Sequence, residues 1–292
     1  MARQTANRPR QLVVGLVQTN SQDNRDANIN EVMAGIDRAA RMGAQFVSLP
    51  ETWNYLGPGR GAKKAAEEIP GELTRMLADK AREHSIWLHA GSVLEKHPEH
   101  DRLFNTTVVF DPVGDICARY RKIHLFDVDL AGQAAFRESD TIEAGDEIVT
   151  FDLDGTKVGL AICYDLRFPE LFRIMALEGA EIIMLPAAFT MATGKDHWEP
   201  LIRARAIENS LFMIAPAQVG EHPPHRQCYG RSMVVDPWGV VLAQAGDIPT
   251  VITATLELDE ISRVRAQVPS LRNRMPQRYV WPDQTGMGER TG

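Results

Sequence analysis

The chain has 292 residues, of which 44% are hydrophobic and 24% charged, and its net charge is −7. This length allows one large domain or two small ones with a substantial core, and the composition is that of an ordinary globular protein. The charges are spread along the chain, which excludes the electrostatic signature of a nucleic-acid or membrane-surface protein. We therefore expect a small-molecule partner.

The N-terminus is basic and leads into a short apolar run, VVGLV, which is too brief for a signal peptide or a membrane span. We expect residues 1–10 to form a disordered arm. Three cysteines, Cys117, Cys163 and Cys228, form no CxxC pair, so neither a disulfide framework nor a structural zinc site is indicated. This usage favours a reducing cytoplasm.

A strand, helix, strand unit occurs twice along the chain. The first copy runs from QLVVGLVQ through a helical pattern over 29–42 to GAQFVSLPE, and the second from KVGLAICYD through FPELFRIMALE to GAEIIMLPA. Apolar runs joined by a helix are typical of parallel strands covered on both faces. The pattern predicts an α/β fold with one domain over 11–272. We expect the Arg-rich tail, 273–292, to pack on a partner subunit.

Three chemically distinct residues follow predicted strands. Glu51 follows FVSLP, Lys122 follows GDICARY, and Cys163 ends the run GLAI. In open α/β sheets, ligands bind at the carboxyl ends of strands. The sequence therefore places a carboxylate, an ammonium and a thiol on one predicted rim.

Cys163 has two interpretations. A cysteine that ends an apolar strand is by default a small buried hydrophobe, and we read Cys117 and Cys228 in that way. After Cys163, however, the chain turns into a helix with Pro169 in its first turn, and a helix N-terminus favours a thiolate. The N–H of Tyr164 would then point at the oxygen of an attacked carbonyl. Position and surroundings favour a nucleophile.

A nucleophilic thiol requires a base, and no histidine lies in a recognisable cysteine-protease signature. Glu51, in LPETWN, directly follows an apolar strand and stands beside Trp53, which favours a partly desolvated carboxylate that can accept a proton. An ordinary solvated loop glutamate fits the spacing equally well. An exposed lysine is likewise the default for Lys122, whose role as an oxyanion donor depends on the need for a fixed positive charge.

Four motifs occur in the order found in the nitrilase superfamily of carbon-nitrogen hydrolases, which the chain resembles over about residues 11 to 280. The motifs are LPETW, YRKIHLFD, RESDTIEAGDE and GLAICYDLRFPEL. The resemblance implies a four-layer α-β-β-α sandwich, a homodimer or higher homo-oligomer, and no metal or organic cofactor. It implies that Cys163 is the nucleophile, Glu51 the general base, Lys122 the oxyanion stabiliser, and Glu138 a second carboxylate that orients Lys122 or the substrate.

Within the superfamily, TGKDHWEPLIRARAIEN and YGRSMVVDPWG are most similar to the amidase branch that includes omega-amidase and deaminated-glutathione amidase. The resemblance implies hydrolysis of the ω-amide of a keto or deaminated acid, and thus an arginine that binds a carboxylate. The candidate substrate-binding residues, besides Tyr164, are Arg167, Phe189, His197, Arg203, Arg226 and Arg231. An N-carbamoyl-amine hydrolase, a nitrilase and a non-catalytic scaffold protein are the alternatives.

Two histidine-proline segments, HPEH at 97–100 and HPPH at 222–225, resemble metal ligands. Neither belongs to an intact ligand set of the kind that holds zinc. We therefore expect no metal site. The loop over 221–227 matches no pattern, and we expect it to face the substrate or an interface.

Overall fold

The computed structural model describes residues 10–129 and 136–279. The expected N-terminal arm therefore lies outside the described residues except for Arg10, and so does the expected tail beyond residue 279. The helices are α1 (Arg25–Arg41), α2 (Gly59–Ala65), α3 (Glu72–His84), α4 (Pro169–Leu177), α5 (Met191–Asn209) and α6 (Asp259–Gln267).

The strands are β1 (Gln11–Gln18), β2 (Phe46–Ser48), β3 (Trp87–His89), β4 (Val93–Lys96), β5 (Leu103–Phe110), β6 (Ile116–Arg121), β7 (Asp127–Val128), β8 (Phe136–Arg137), β9 (Thr150–Leu153), β10 (Thr156–Leu160), β11 (Ile182–Met184), β12 (Phe212–Ala215), β13 (Val219–His222), β14 (Arg226–Tyr229), β15 (Met233–Val235), β16 (Val241–Gln244) and β17 (Thr250–Glu257).

The strands form two large mixed sheets. The first has the order β17-β1-β2-β3-β5-β4, with β6 also paired to β5, and the second has the order β16-β15-β12-β11-β10-β9. Two hairpins, β7-β8 and β13-β14, lie outside them. The predicted α/β class is confirmed.

The repeated unit predicted from the sequence is present in both sheets. In the first copy β1 pairs in parallel with β2, and Val14 lies opposite Phe46. In the second, β10 pairs in parallel with β11, and Val158 lies opposite Ile182. Helices α1 and α4 are the crossovers between the paired strands, as a parallel connection requires.

The two sheets pack face to face with helices outside, as a four-layer sandwich requires. Residues of β1 alternate: Leu12, Val14 and Leu16 face the core shared with the second sheet, whereas Val17 faces α1 and α3. The ring of Phe151 on β9 lies 6.5 Å from that of Phe46, across the inter-sheet layer. Helices α4 and α5 pack on the opposite face of the second sheet.

The expectation that Cys117 is buried is wrong. It lies on β6, where burial alternates so that Ala118 and Tyr120 face the core and Cys117 faces outward. The strand is covered on only one face, which the sequence GDICARY does not reveal. Cys228, by contrast, is buried as expected. In the described part of the chain, no helix is long and apolar enough to cross a membrane.

Candidate active site

Glu51 lies three residues beyond the end of β2 and is only 4% exposed. Its Oε1 accepts hydrogen bonds from Lys122 Nζ at 3.0 Å and from Asn105 Nδ2 at 2.9 Å. Its Oε2 accepts the backbone N–H of Ala188 at 2.7 Å. Glu51 is therefore a buried, fixed carboxylate rather than a solvated loop residue.

Lys122 follows β6 and is 2% exposed, which overturns the default expectation of a solvated lysine. Besides Glu51, its Nζ donates to both oxygens of Glu138, at 3.1 and 2.9 Å. Glu138 begins a 3-10 turn after β8 and is held by the N–H of Phe126 at 2.7 Å. A buried ammonium is thus enclosed by two carboxylates, as a charge withdrawn from water requires.

Cys163 lies at the strand-to-helix switch predicted from the sequence, between β10 and α4. It begins a 3-10 turn, Cys163–Arg167, with a φ of +46°. A positive φ is uncommon for a residue with a side chain, and such positions are retained where the surroundings enforce them, often at functional sites. The N–H of Cys163 donates to Pro186 O at 2.9 Å, which fastens the turn to the end of β11.

Asp165, two residues after Cys163, holds this turn from inside. Its fully buried carboxylate accepts the hydroxyl of Tyr120 and the N–H of Ile162, each at 2.7 Å. The ring of His124 contacts the other oxygen at 2.7 Å and stacks on Phe168. His124 is thereby engaged with Asp165, two residues beyond the thiol.

The turn also presents a backbone donor next to the thiol. Asp165 N–H bonds to Ile162 O within the turn, and Cys163 N–H is used by Pro186. The N–H of Tyr164 has no acceptor among the described residues. This N–H is therefore available to an oxygen bound beside Cys163, and Lys122 Nζ can join it by moving one of its three N–H groups from a carboxylate.

The charges around the thiol set its resting state. Burial, followed by the charge of Glu51 and a hydrogen bond to it, raises the pKa of Cys163 well above the usual thiol value, while Lys122 opposes this shift. Burial lowers the pKa of Lys122, but Glu138 and Glu51 outweigh it, so that the pKa lies well above its usual value. At neutral pH the site therefore holds a neutral thiol and a charged ammonium.

Four of the predicted substrate-binding residues meet on one side of the turn. The guanidinium of Arg167 lies over the ring of Phe189 at 5.1 Å and 3.3 Å from Nδ1 of His197. It also lies 5.9 Å from the ring of Tyr164. Phe189 is buried and follows Ala188, the residue that binds Glu51.

The other three arginines differ in their surroundings. Arg226, on β14, lies over the ring of Phe136 at 5.4 Å. Phe136 precedes Glu138 by two residues. Arg203 instead donates to Gly239 O, and Arg231 pairs with Asp247, at 2.8 Å each. The structure therefore groups Arg167 and Arg226 with residues of the site, and it ties Arg203 and Arg231 to other loops.

Two groups at the site are absent from the sequence-based prediction. Asn105, in the middle of β5, binds both carboxylates, and the Ala188 N–H binds Glu51 from the other half of the chain. A polar amide within the apolar run LFNTTVVF was a usable signal, because a buried Asn needs partners. A backbone N–H carries no such signal.

Neither histidine-proline segment presents a free ligand set. His97, His100 and Glu143 cluster, but Nδ1 of His97 accepts the N–H groups of Glu99 and His100, which places its proton on Nε2. Neither ring nitrogen is then free to bind a cation. In the other segment, Nδ1 of His222 donates to Ser21 O at 2.7 Å, and among the described residues no cluster of three ligand groups forms around the free Nε2.

Comparisons with known proteins place this geometry in context. The family described as carbon-nitrogen hydrolase matches residues 13–266. The omega-amidase NIT2 of Homo sapiens is 39% identical over 91% of this chain and 96% of that protein. The deaminated glutathione amidase of Synechocystis sp. is 40% identical over 89% of this chain and 96% of that protein.

A solved structure shares the fold. The NitFhit protein of C. elegans aligns with a TM-score of 0.87 and 35% identity, and the alignment covers 92% of this chain and 66% of that chain. The region matched by the family model includes Glu51, Lys122, Glu138 and Cys163. The buried cluster therefore lies inside the region on which the similarity rests.

Proposed function

Because the chain belongs to the carbon-nitrogen hydrolase family, we propose that it is an amidase that cleaves the ω-amide of a keto acid or of a deaminated glutathione-like acid through a Cys163 thioester. The observation that carries this proposal is the buried array of Glu51, Lys122 and Glu138 beside a thiol at a strained turn. The names of the relatives at 39% and 40% identity support the substrate class.

Acylation begins with proton transfer from the Cys163 thiol to Glu51. The sulfur forms a bond to the amide carbon, and the carbonyl oxygen takes the negative charge, held by Lys122 Nζ and the Tyr164 N–H. As the tetrahedral intermediate collapses, the carbon–nitrogen bond breaks. Glu51 returns its proton to the leaving nitrogen, and ammonia departs from a thioester.

Deacylation uses the same groups in reverse. Glu51 removes a proton from water, the hydroxide adds to the thioester carbon, and the same two donors hold the oxygen. The carbon–sulfur bond then breaks, and the proton on Glu51 returns to the thiolate. Glu138 keeps Lys122 charged and in place in both half-reactions, with Nζ contacts of 3.1 and 2.9 Å.

Recognition of an acid substrate requires a cation near the amide. Arg167 and Arg226 are the candidates, because each lies over an aromatic ring at the site and neither forms an ion pair among the described residues. A planar guanidinium binds a carboxylate in a bidentate manner that lysine cannot reproduce. We expect Arg167→Lys or Arg226→Lys, whichever of the two binds the carboxylate, to raise KM for the acid by about 10-fold or more.

Assembly and location are also part of the proposal. Exposed apolar side chains lie on the neighbouring helices α4 and α5, at Ile174, Leu177 and Ile207, and they favour a homo-oligomer. Three free cysteines, one of them proposed as the nucleophile, favour a reducing cytoplasm. No cofactor is required by the steps above.

Ammonia release from α-ketoglutaramate and from deaminated glutathione tests the proposed activity. We expect the wild-type protein to release ammonia from at least one of them and Cys163→Ala to release none. Intact-protein mass spectrometry of the wild-type protein should show a thioester adduct. Release only from an N-carbamoyl amine or a nitrile would assign one of the alternative activities. No release from any of these classes would favour the scaffold alternative, against which the intact Glu51–Lys122–Cys163 array argues.

A further inference from the structure

Asn105 occupies the centre of the cluster without belonging to the residues implied by the family resemblance. It is the third residue of β5, a strand buried along its whole length, and it is 1% exposed. Its backbone carbonyl accepts the N–H of Lys122 at 2.9 Å. The side chains of Asn105 and Lys122 therefore extend from backbone positions that are hydrogen-bonded to each other.

The side-chain nitrogen of Asn105 uses both of its protons on the two carboxylates. It donates to Glu51 Oε1 at 2.9 Å and to Glu138 Oε1 at 3.3 Å. Lys122 Nζ donates to the same two oxygens at 3.0 and 3.1 Å. Two donors and two acceptor oxygens thus alternate around a closed ring, in which one donor is neutral and the other charged.

This ring determines how the Glu51 carboxylate is rotated. Because Oε1 is held by two donors, Oε2 must face the other way, where it accepts the Ala188 N–H at 2.7 Å. The same N–H lowers the pKa of the Cys163 thiol, which places Oε2 on the side of the thiol. Without Asn105, Lys122 would be the single donor to Oε1. Binding of an oxyanion by Lys122 would then weaken the bond that holds the carboxylate. A second, neutral donor keeps the carboxylate in place during that step without adding charge.

We propose that Asn105 is a positioning residue for the reaction, one that fixes the Glu51 carboxylate toward the Cys163 sulfur while Lys122 moves one of its three N–H groups from a carboxylate to the oxyanion. The inference rests on the proposed function for its kinetic consequence. Its structural consequence, the contact between Glu51 and the thiol, is measurable without any substrate.

The substrate-free test is the pH dependence of Cys163 alkylation by iodoacetamide, followed at the peptide level. Glu51 raises the pKa of Cys163, so a variant that lets Glu51 turn away lowers the alkylation midpoint. We expect Asn105→Leu to lower it by about 0.5 pH unit or more, in the direction of Glu51→Gln. Adding Asn105→Leu to Glu51→Gln should produce no further shift.

The matched control is Thr107→Val on the same strand. Thr107 shares its face with Asn105 but contacts His89 at 3.0 Å instead of a carboxylate of the cluster. This variant should keep the wild-type midpoint. Asn105→Ser serves as a second, uncharged variant, which can donate at most one hydrogen bond and should also lower the midpoint.

The kinetic test uses ammonia release. Both Asn105 variants should lower kcat by about 100-fold with KM within about 3-fold, the pattern of a group that acts in the transition state and not in substrate binding. Wild-type midpoints and kcat within 3-fold in the two folded variants would overturn the inference. If the wild-type protein releases no ammonia, the proposed function fails, while the alkylation cycle still decides the role of Asn105.

Discussion

The two oxygens of Glu51 have separate tasks. Oε1 is held by Lys122 and Asn105, whereas Oε2 accepts the Ala188 N–H, a group that also acts on the Cys163 thiol. A carboxylate anchored on one side can transfer a proton on the other without reorganising, which is the advantage of a preorganised base. The sequence predicted Glu51 as a residue at a strand end, but the division of its oxygens depends on partners 54 to 137 residues away.

Glu51→Gln should change turnover and thiol reactivity in opposite directions. Loss of the base should reduce kcat/KM by about 100-fold or more. Loss of its negative charge removes one cause of the raised pKa of Cys163, so alkylation should begin at lower pH. Peptide-level alkylation profiles and ammonia release measure the two effects, and a parallel decline of both would contradict the assignment.

The buried His89 should make the protein sensitive to acid. It is fully buried between Ser48 and Thr107, and burial lowers its pKa from 6.5 to about 3. Below pH 6.5 the imidazole of His89 binds a proton in the unfolded chain but stays neutral in the folded protein. The stability that neutral His89 contributes is therefore present above pH 6.5 and is lost as pH falls toward 3.

The effect can be isolated by comparing wild type with His89→Gln in urea at pH 7.5 and pH 5.5. The variant will be less stable at both pH values, because it disrupts a buried hydrogen-bonded group. Its deficit in unfolding free energy should be smaller at pH 5.5 by about 1.4 kcal/mol, the work of protonating one histidine in the unfolded chain. A deficit that does not change with pH would contradict the assignment.

At the scale of elements, the turn after β10 combines the proposed nucleophile with a rigid support. Apolar residues of β10 lead into Cys163, and the buried Asp165 collects donors from Tyr120, Ile162 and His124. The strand-to-helix switch was predictable from the abrupt change after GLAI. The support was not, since Tyr120 and His124 lie in a distant segment whose pairing with this turn is a property of the packed sheets.

Tyr120→Phe tests that support. Because Asp165 would lose a buried donor, we expect a loss of about 1–3 kcal/mol in unfolding free energy together with reduced kcat. Urea denaturation and ammonia release are the measurements. Tyr279→Phe is the control, since Tyr279 is 63% exposed and should alter neither quantity. Equal stability of Tyr120→Phe and wild type would show that the turn does not depend on this bond.

At the scale of the whole molecule, the sequence was most informative about architecture and least about long-range polar contacts. The doubled strand, helix, strand pattern predicted the two parallel pairs, because apolar periodicity is local and each copy folds on its own sheet. Glu138 was found only through the family resemblance, since it belongs to a short turn after the β7-β8 hairpin and not to a strand end of a large sheet.

Assembly is the prediction that belongs to this scale. If α4 and α5 form the subunit contact, Leu177→Arg and Ile207→Arg should shift the protein to a smaller species, because each places a charge in an apolar interface. Multi-angle light scattering measures the mass. Val113→Arg is the control, an equally apolar, exposed side chain in a turn of the first sheet, and it should leave the mass unchanged.

The register of the repeated unit places Glu51 and Cys163 in different copies and at different positions of the unit. Since Val14 corresponds to Val158 and Phe46 to Ile182, counting along the chain makes Thr19 the counterpart of Cys163, and Ala187 the counterpart of Glu51. Each copy thus holds one of the two residues proposed for catalysis. We therefore expect neither copy to act alone, because a duplicate of one copy in place of the other would lack either the proposed base or the proposed nucleophile.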